Sequence, residues 1–145
     1  MATQRDDPYG NFNFLVDFGA GEGVRFSEVV LPEGSVAVIE YREGGDKDNA
    51  ARRLPGRPRF SNVVLRRGFT ADLTLYAWWN EIRNGVRDFR DVRIELQSED
   101  HAAVVASWRL RRAWPVRIAF GELRGFGDEA LIETLELTFE SFELE

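Results

Sequence analysis

The chain has 145 residues, no cysteine, one histidine and a formal net charge of −6, with 43% hydrophobic and 30% charged residues. That composition describes one globular domain, 1–145, long enough for a real core rather than a disordered segment. It excludes a disulfide framework and thiol chemistry, leaves bulk nucleic-acid binding unsupported, and contains no apolar run near the length of a membrane-spanning helix.

The first ten residues, MATQRDDPYG, lack the basic start and apolar core of a secretory signal, so synthesis in the cytoplasm and no membrane anchor are expected. NFNFLVDF then alternates, with Phe12, Phe14, Val16 and Phe18 on one face and Asn13, Leu15 and Asp17 on the other. Period-2 alternation predicts a half-buried strand. GAGEG reads as a turn, and GVRFSEVVLPEG as a second strand stopped by Pro32 and Gly34. Ser35–Tyr41, rich in β-branched and aromatic residues, predicts a third.

The span of about 42–60 is the most distinctive part of the chain. It is rich in Gly, Pro, Asp and Arg, and it reads as a long extended loop. A loop of that length within a compact domain is uncommon and usually functional. With so few large apolar side chains it reads as an arm that orders against another chain.

Asn62–Phe69 predicts a fourth strand. One helix is expected over about 72–84, where Leu75, Trp79 and Ile82 form a stripe, with Thr70 or Asp72 as N-cap and Gly85 as the stop. Trp78 and Trp79 offer a pocket reading, but a structural plug over the end of a β-sandwich is the better expectation for such aromatics. Asp91–Gln97 alternates, with Val92, Ile94 and Leu96 inward. Val104–Arg112 follows, and Pro115 is expected to break or bend it before Val116–Phe120. GELRGFGDEA is a Gly-rich loop that does not fit a dinucleotide fingerprint. Leu131–Leu144 reads as one long terminal strand with Leu135, Leu137 and Phe139 facing the core and Thr134, Glu136, Thr138 and Glu140 facing away.

The expected fold is therefore mainly β, an antiparallel β-sandwich or barrel with one short α-helix and one long loop. No enzyme is expected: there is no nucleophile–base pair, no metal-ligand spacing and no cofactor motif. His101, in SEDHAA, reads as a solvated turn residue. Glu133, Glu136, Glu140 and Glu143 read as a solvated sheet face, and the segregation of Arg (52–67 and 109–117) from Glu (128–145) as possible complementary surfaces for self-association. A small-ligand-binding monomeric β-barrel is the alternative function, but it leaves the polar arm unexplained.

DPYGNFNFLVDF at 7–18, the EYREGGD-to-LPG-to-SNVVLRRG block at 40–68, RRAWP at 111–115 and IETLELTFESFE at 132–143 occur in one order across nearly the whole chain. In these features the sequence resembles the inner tube protein of contractile phage tails and related contractile injection systems. The resemblance implies a structural subunit of stacked hexameric rings around a channel carrying DNA or effector cargo. It also implies partners: other copies of itself, a sheath protein, and baseplate and tube-terminating proteins. It places inter-subunit contacts at Glu40, Tyr41, Arg42, Glu43, Gly44, Gly45 and Asp46, and at Leu54, Pro55 and Gly56; by their charge Arg52, Arg53, Arg57 and Arg59 are expected to meet acidic surfaces on an adjacent ring. If the terminal strand lies on the inner sheet, Thr134, Glu136, Thr138 and Glu140 would face the lumen.

Overall fold

The computed structural model describes residues 14–21, 23–42, 44–45, 51–98, 100, 103–127 and 130–145. The DPYGNF segment, His101, and Glu43 and Asp46 of the arm lie outside the described residues. Strands form where apolar and polar residues alternate: β1 (Phe14–Asp17), β2 (Gly23–Arg25), β3 (Glu28–Val30), β4 (Gly34–Tyr41), β5 (Arg52–Phe60) and β6 (Val63–Gly68). The helix α1 (Thr74–Arg83) follows, and then β7 (Arg90–Gln97), β8 (Val104–Ala119), β9 (Ile132–Thr138) and β10 (Ser141–Leu144). The fold is mainly β, with antiparallel pairing throughout and one short helix. The chain divides into a larger unit, Met1–Leu31 with Asn62–Glu145, and a smaller one, Pro32–Ser61.

In the larger unit the strand order is β2-β1-β7-β8-β9-β6-β3, with β10 added to β8. Strand β8 organises this arrangement. Its first part pairs with β7 and with β10, so that Leu110 lies opposite both Val92 and Phe142. Its second part pairs with β9 instead, Trp114 opposite Thr138 and Ile118 opposite Leu135. Between the two parts Arg112 takes φ 52, a left-handed conformation rare for a side chain of its size. Its N–H donates to Asp91 Oδ1 at 3.3 Å and its guanidinium to Glu140 Oε1 at 2.9 Å, while the guanidinium lies 4.9 Å from the centre of the Phe89 ring. These contacts hold the turn of the strand in place.

Three sequence expectations change here. Pro115 does not end the strand. It sits fully buried opposite Leu137, with a register shift between Pro115 and Arg117. Proline is tolerated at such an irregularity because the ladder donor it lacks is not required there. GVRFSEVVL is two strands, since β2 pairs with β1 and β3 with β6. The break falls at Phe26, buried in the core, and at Ser27, whose N–H and hydroxyl both donate to Arg66 O. The terminal segment is likewise two strands, β9 between β6 and β8, and β10 on the first part of β8.

The core is one cluster in which Val16, Val92, Ile94 and Leu110 join Val63, Leu65, Leu135 and Leu137. The first four lie on β1, β7 and the first part of β8, and the other four on β6 and β9, so the strands on either side of the switch in β8 share one core. Helix α1 closes the cluster with Leu75 and Trp78. Trp78 is 1% exposed. It meets Phe18 edge-on at 5.8 Å, donates its indole N–H to Asp88 O at 2.7 Å and lies under the Arg90 guanidinium at 4.5 Å. The structure thus supports a plug, but through Trp78; Trp79 is only half-buried, resting on Tyr76 and Arg83. The helix begins after Asp72, whose Oδ1 accepts the Thr74 N–H. It ends in a Schellman motif, where Val86 N–H reaches Glu81 O and Gly85 N–H reaches Ile82 O. Gly85 supplies the required φ of +89.

Glu133 is a further correction. It is not on a solvated face: its side chain is 1% exposed and accepts from Arg67 Nε at 2.8 Å, its cross-strand partner. Arg67 also approaches the Phe26 ring at 5.6 Å and Asp72 at 3.8 Å.

Candidate assembly interface

The smaller unit is a two-stranded ribbon, β4 against β5. The long loop expected over about 42–60 is therefore narrower: from Arg52 to Phe60 the chain is a regular strand returning along Gly34–Tyr41. The β-branched and aromatic composition of β4 made its strand character readable, whereas the Pro and Gly of LPGRP hid that of β5. Glu33 and Ser61 close the base, with Ser61 N–H donating to Glu33 O and Glu33 N–H to Ser61 Oγ.

Register sorts the ribbon's side chains into two faces. Gly34 opposite Phe60, Val36 opposite Pro58, Val38 opposite Pro55 and Glu40 opposite Arg53 share the first face. The pairs Ser35–Arg59, Ile39–Leu54 and Tyr41–Arg52 share the second. A bulge between Val36 and Val38 lets Gly56 and Arg57 oppose Ala37. Gly56 is required there, because a Cβ would lie 3.0 Å from Ala37 O and 3.2 Å from both Ala37 Cβ and Ile39 Cγ1.

The ribbon buries almost nothing. Every residue of β4 is exposed, as is every residue of β5 except Gly56, which is intermediate. Val36 is 54% exposed and Val38 63%, and Ile39, Tyr41, Leu54 and Phe60 are each close to half exposed. Strand β5 carries Arg52, Arg53, Arg57 and Arg59 and no acidic residue. Pro55 and Pro58 leave it without two ladder donors, which blunts its outer edge against strand addition.

Of the residues the sequence marks for inter-subunit contact, Glu40 and Tyr41 end β4, Arg42 follows, and Gly44 and Gly45 occupy a turn. Arg52, Arg53, Leu54, Pro55, Gly56 and Arg57 lie along β5, so the ribbon gathers the described members of both groups into one element. The second charge-rich pairing falls elsewhere. Arg109 meets Glu145 at 3.0 Å, Arg111 meets Glu143 at 3.4 Å, Arg112 meets Glu140 at 2.9 Å and Arg117 meets Glu136 at 3.3 Å. The Arg-rich 109–117 and Glu-rich C-terminal stretches thus neutralise each other within one chain and are not unpaired complementary surfaces.

The row Thr134, Glu136, Thr138 holds along β9, all three half-buried on the side away from the core. Glu140 leaves it: the strand has ended, and Glu140 N–H donates to Arg111 O in the turn to β10. Glu136 is not an isolated carboxylate. It accepts from Asn62 Nδ2 at 2.9 Å and from Arg117 Nε at 3.3 Å, and the Asn62 hydrogen bond chiefly holds its pKa below the usual carboxylate value. Asp72 is lowered in the same direction, first by the Thr74 N–H it accepts.

The sequence signature of T4-like virus tail tube protein gp19 matches residues 10–143. The chain belongs to that family. It is a tail tube protein, an inner tube subunit of a contractile system. A chain in the six-fold symmetrised cryo-EM structure of the anti-feeding prophage (AFP) baseplate is 25% identical, with a TM-score of 0.84 over 97% of each chain. A chain of the extracellular contractile injection system PVC, from its sheath-tube complex in the extended state, has the same fold. Its TM-score is 0.84 at 22% identity, over 97% of this chain and 93% of that one. Hcp1 from Flavobacterium johnsoniae shares the fold more distantly, with a TM-score of 0.57 at 13% identity over 90% of this chain and 93% of that one. No curated protein sequence matches the chain.

For this tail tube protein, sequence reasoning missed the exposed apolar residues of the ribbon, Val36, Val38 and Phe60. The signal was present in SVAVIEY, but a strand of that composition reads as ordinary core unless its partner strand is recognised. Among the described residues no group of three or more His, Cys, Asp or Glu could hold a metal ion, and no helix is long and apolar enough to cross a membrane.

Proposed function

We propose that this tail tube protein forms hexameric rings that stack into a tube around a central channel, with the ribbon as the element that joins copies. The exposed ribbon carries the proposal: a two-stranded hairpin is marginal alone in water, and half-exposed Val, Ile, Leu and Phe side chains on it need a cover. Glu40–Gly45 and Arg52–Arg57 are then the inter-subunit contacts, and the row Thr134, Glu136, Thr138 is a lumen lining. Because Glu136 is held by Asn62 and Arg117, that lining is closer to charge-balanced than to a ring of free carboxylates. The role is structural rather than catalytic. The protein is made in the cytoplasm, and a sheath protein, a baseplate and a tube-terminating protein are its partners, with DNA or effector cargo passing through the bore. AFP baseplate and PVC sheath-tube assemblies, which contain chains of this fold, support that set of partners.

Negative-stain microscopy and sizing of the purified protein over a concentration series test the proposal. Rings or tubes with six-fold class averages are expected. A strict monomer at high concentration, also in the presence of its sheath and baseplate proteins, would overturn it.

A further inference from the structure

Register defines the whole sheet face to which Thr134, Glu136 and Thr138 belong. On β6, Arg66 lies opposite Thr134 and Val64 opposite Glu136. Beyond β6, Glu28 lies opposite Arg66 and Val30 opposite Val64. On the other flank of β9, Arg117 lies opposite Glu136 and Ala119 opposite Thr134. The alternate residues Val63, Leu65, Leu135 and Leu137 are in the core. Among the described residues, the charges of this face are Glu28, Arg66, Arg117 and Glu136, and they pair. Arg66 meets Glu28 at 3.0 Å and Arg117 meets Glu136 at 3.3 Å, where Asn62 also donates at 2.9 Å. Both pairs reach solvent, the Glu28 side chain being 54% exposed and that of Arg117 50%. The face sums to zero while the chain carries a net charge of −6, so the surplus lies elsewhere on the molecule. Val30 and Val64 form a short apolar pair between the two ion pairs.

We infer that the bore is lined by charges that each copy neutralises within itself, and that the cargo it fits is a polypeptide carrying both signs of charge rather than a nucleic acid. This rests on the lumen assignment proposed above and specifies the cargo. A nucleic acid presents one sign of charge to the wall, and a surplus of wall carboxylates keeps it off by long-range repulsion. The same surplus would hold the basic patches of a protein. A protein passes most freely along a wall with no surplus of either sign, because electrostatic adhesion needs unpaired charge facing its opposite. Arg66–Glu28 and Arg117–Glu136 meet that requirement, and the threonines add hydroxyls without charge. Each pair closes within one chain, so the neutrality does not depend on how copies meet.

The test is retention inside the tube. Tubes are assembled with a short fluorescent polyglutamate or polylysine peptide, washed at physiological salt and treated with a protease too large for the bore. Label that survives reports the lumen. Wild-type tubes are expected to hold the two peptides equally, within about twofold. Thr134→Lys adds one cation per copy and leaves both ion pairs in place; it should raise retained polyglutamate about tenfold, and Thr134→Glu should do the same for polylysine. Wild-type tubes that hold polylysine about tenfold over polyglutamate would overturn the neutral bore in favour of a nucleic-acid conduit, and the reverse preference would overturn it as well. The wild-type comparison decides this whether or not a variant assembles. Variants that form tubes but change neither retention would remove this face from the lumen, and the inference with it, while the tube reading stands. If the wild-type protein never forms rings or tubes, both fall.

Discussion

Single side chains show how closely local chemistry can be read and where it fails. Leu75, Trp79 and Ile82 satisfy a helical stripe, yet the helix is rotated so that Trp78 enters the core and Trp79 lies on its margin. Truncating a buried aromatic removes both transfer free energy and packing, so Trp78→Ala should cost about 3–5 kcal/mol. Trp79→Ala should cost no more than about 1–2 kcal/mol. Chemical denaturation of the two variants checks the ranking, and equal losses would contradict the packing described. Glu136 provides a pH test. Its pKa is lowered in the folded state, so its contribution to stability is present above its unfolded value of 4.5 and is lost as pH falls through the folded one. The denaturation midpoint should drop as pH falls from about 5 towards about 3, and Glu136→Gln should flatten part of that drop. Glu133 was read as solvated although period-2 alternation puts it on the face of Leu135 and Leu137; the cross-strand Arg67 is what lets a carboxylate sit there.

At the scale of elements, β6, β7 and the helix were readable because each buries one face within a single pairing environment. The boundaries that were misread share a cause. Strands β2 and β3, and β9 and β10, are runs of continuous β composition whose partners change midway, and local alternation carries no information about partners. The ribbon is the opposite case, because its partner strand was disguised by proline and glycine. No residue of the ribbon belongs to the core cluster. Replacing Val36–Arg59 by a short Gly-Ser bridge should therefore leave a cooperatively folded protein with a melting temperature close to wild type, yet abolish tubes. Circular dichroism melts and microscopy of the same preparation check both halves, and tubes from the deletion variant would remove the ribbon from assembly.

Over the whole molecule, charge is arranged differently from its distribution along the sequence. Arg109, Arg111, Arg112 and Arg117 are matched to C-terminal glutamates across neighbouring strands, on surfaces exposed enough that each pair contributes only about 0–1 kcal/mol. Salt screens such exposed pairs, but each contributes too little for its loss to unfold the protomer, and on apolar burial salt does not act by screening. Tubes held mainly by the ribbon's apolar side chains should persist from low to molar sodium chloride; sedimentation across that series checks this, and dissolution at high salt would give the main role to the ribbon's arginines.

The sequence by itself determined the class of fold, the site of the helix, the existence of an arm and the family, because these follow from local periodicity, turn residues and the order of short motifs. The tertiary structure alone decided that the arm is a β-ribbon, that the Arg- and Glu-rich stretches pair within one chain, and that Arg67 is the partner of the buried Glu133. Each of those depends on which strand lies opposite which. Pairing between residues far apart in the chain is set by the packing of the whole core and leaves no trace in the periodicity of either strand.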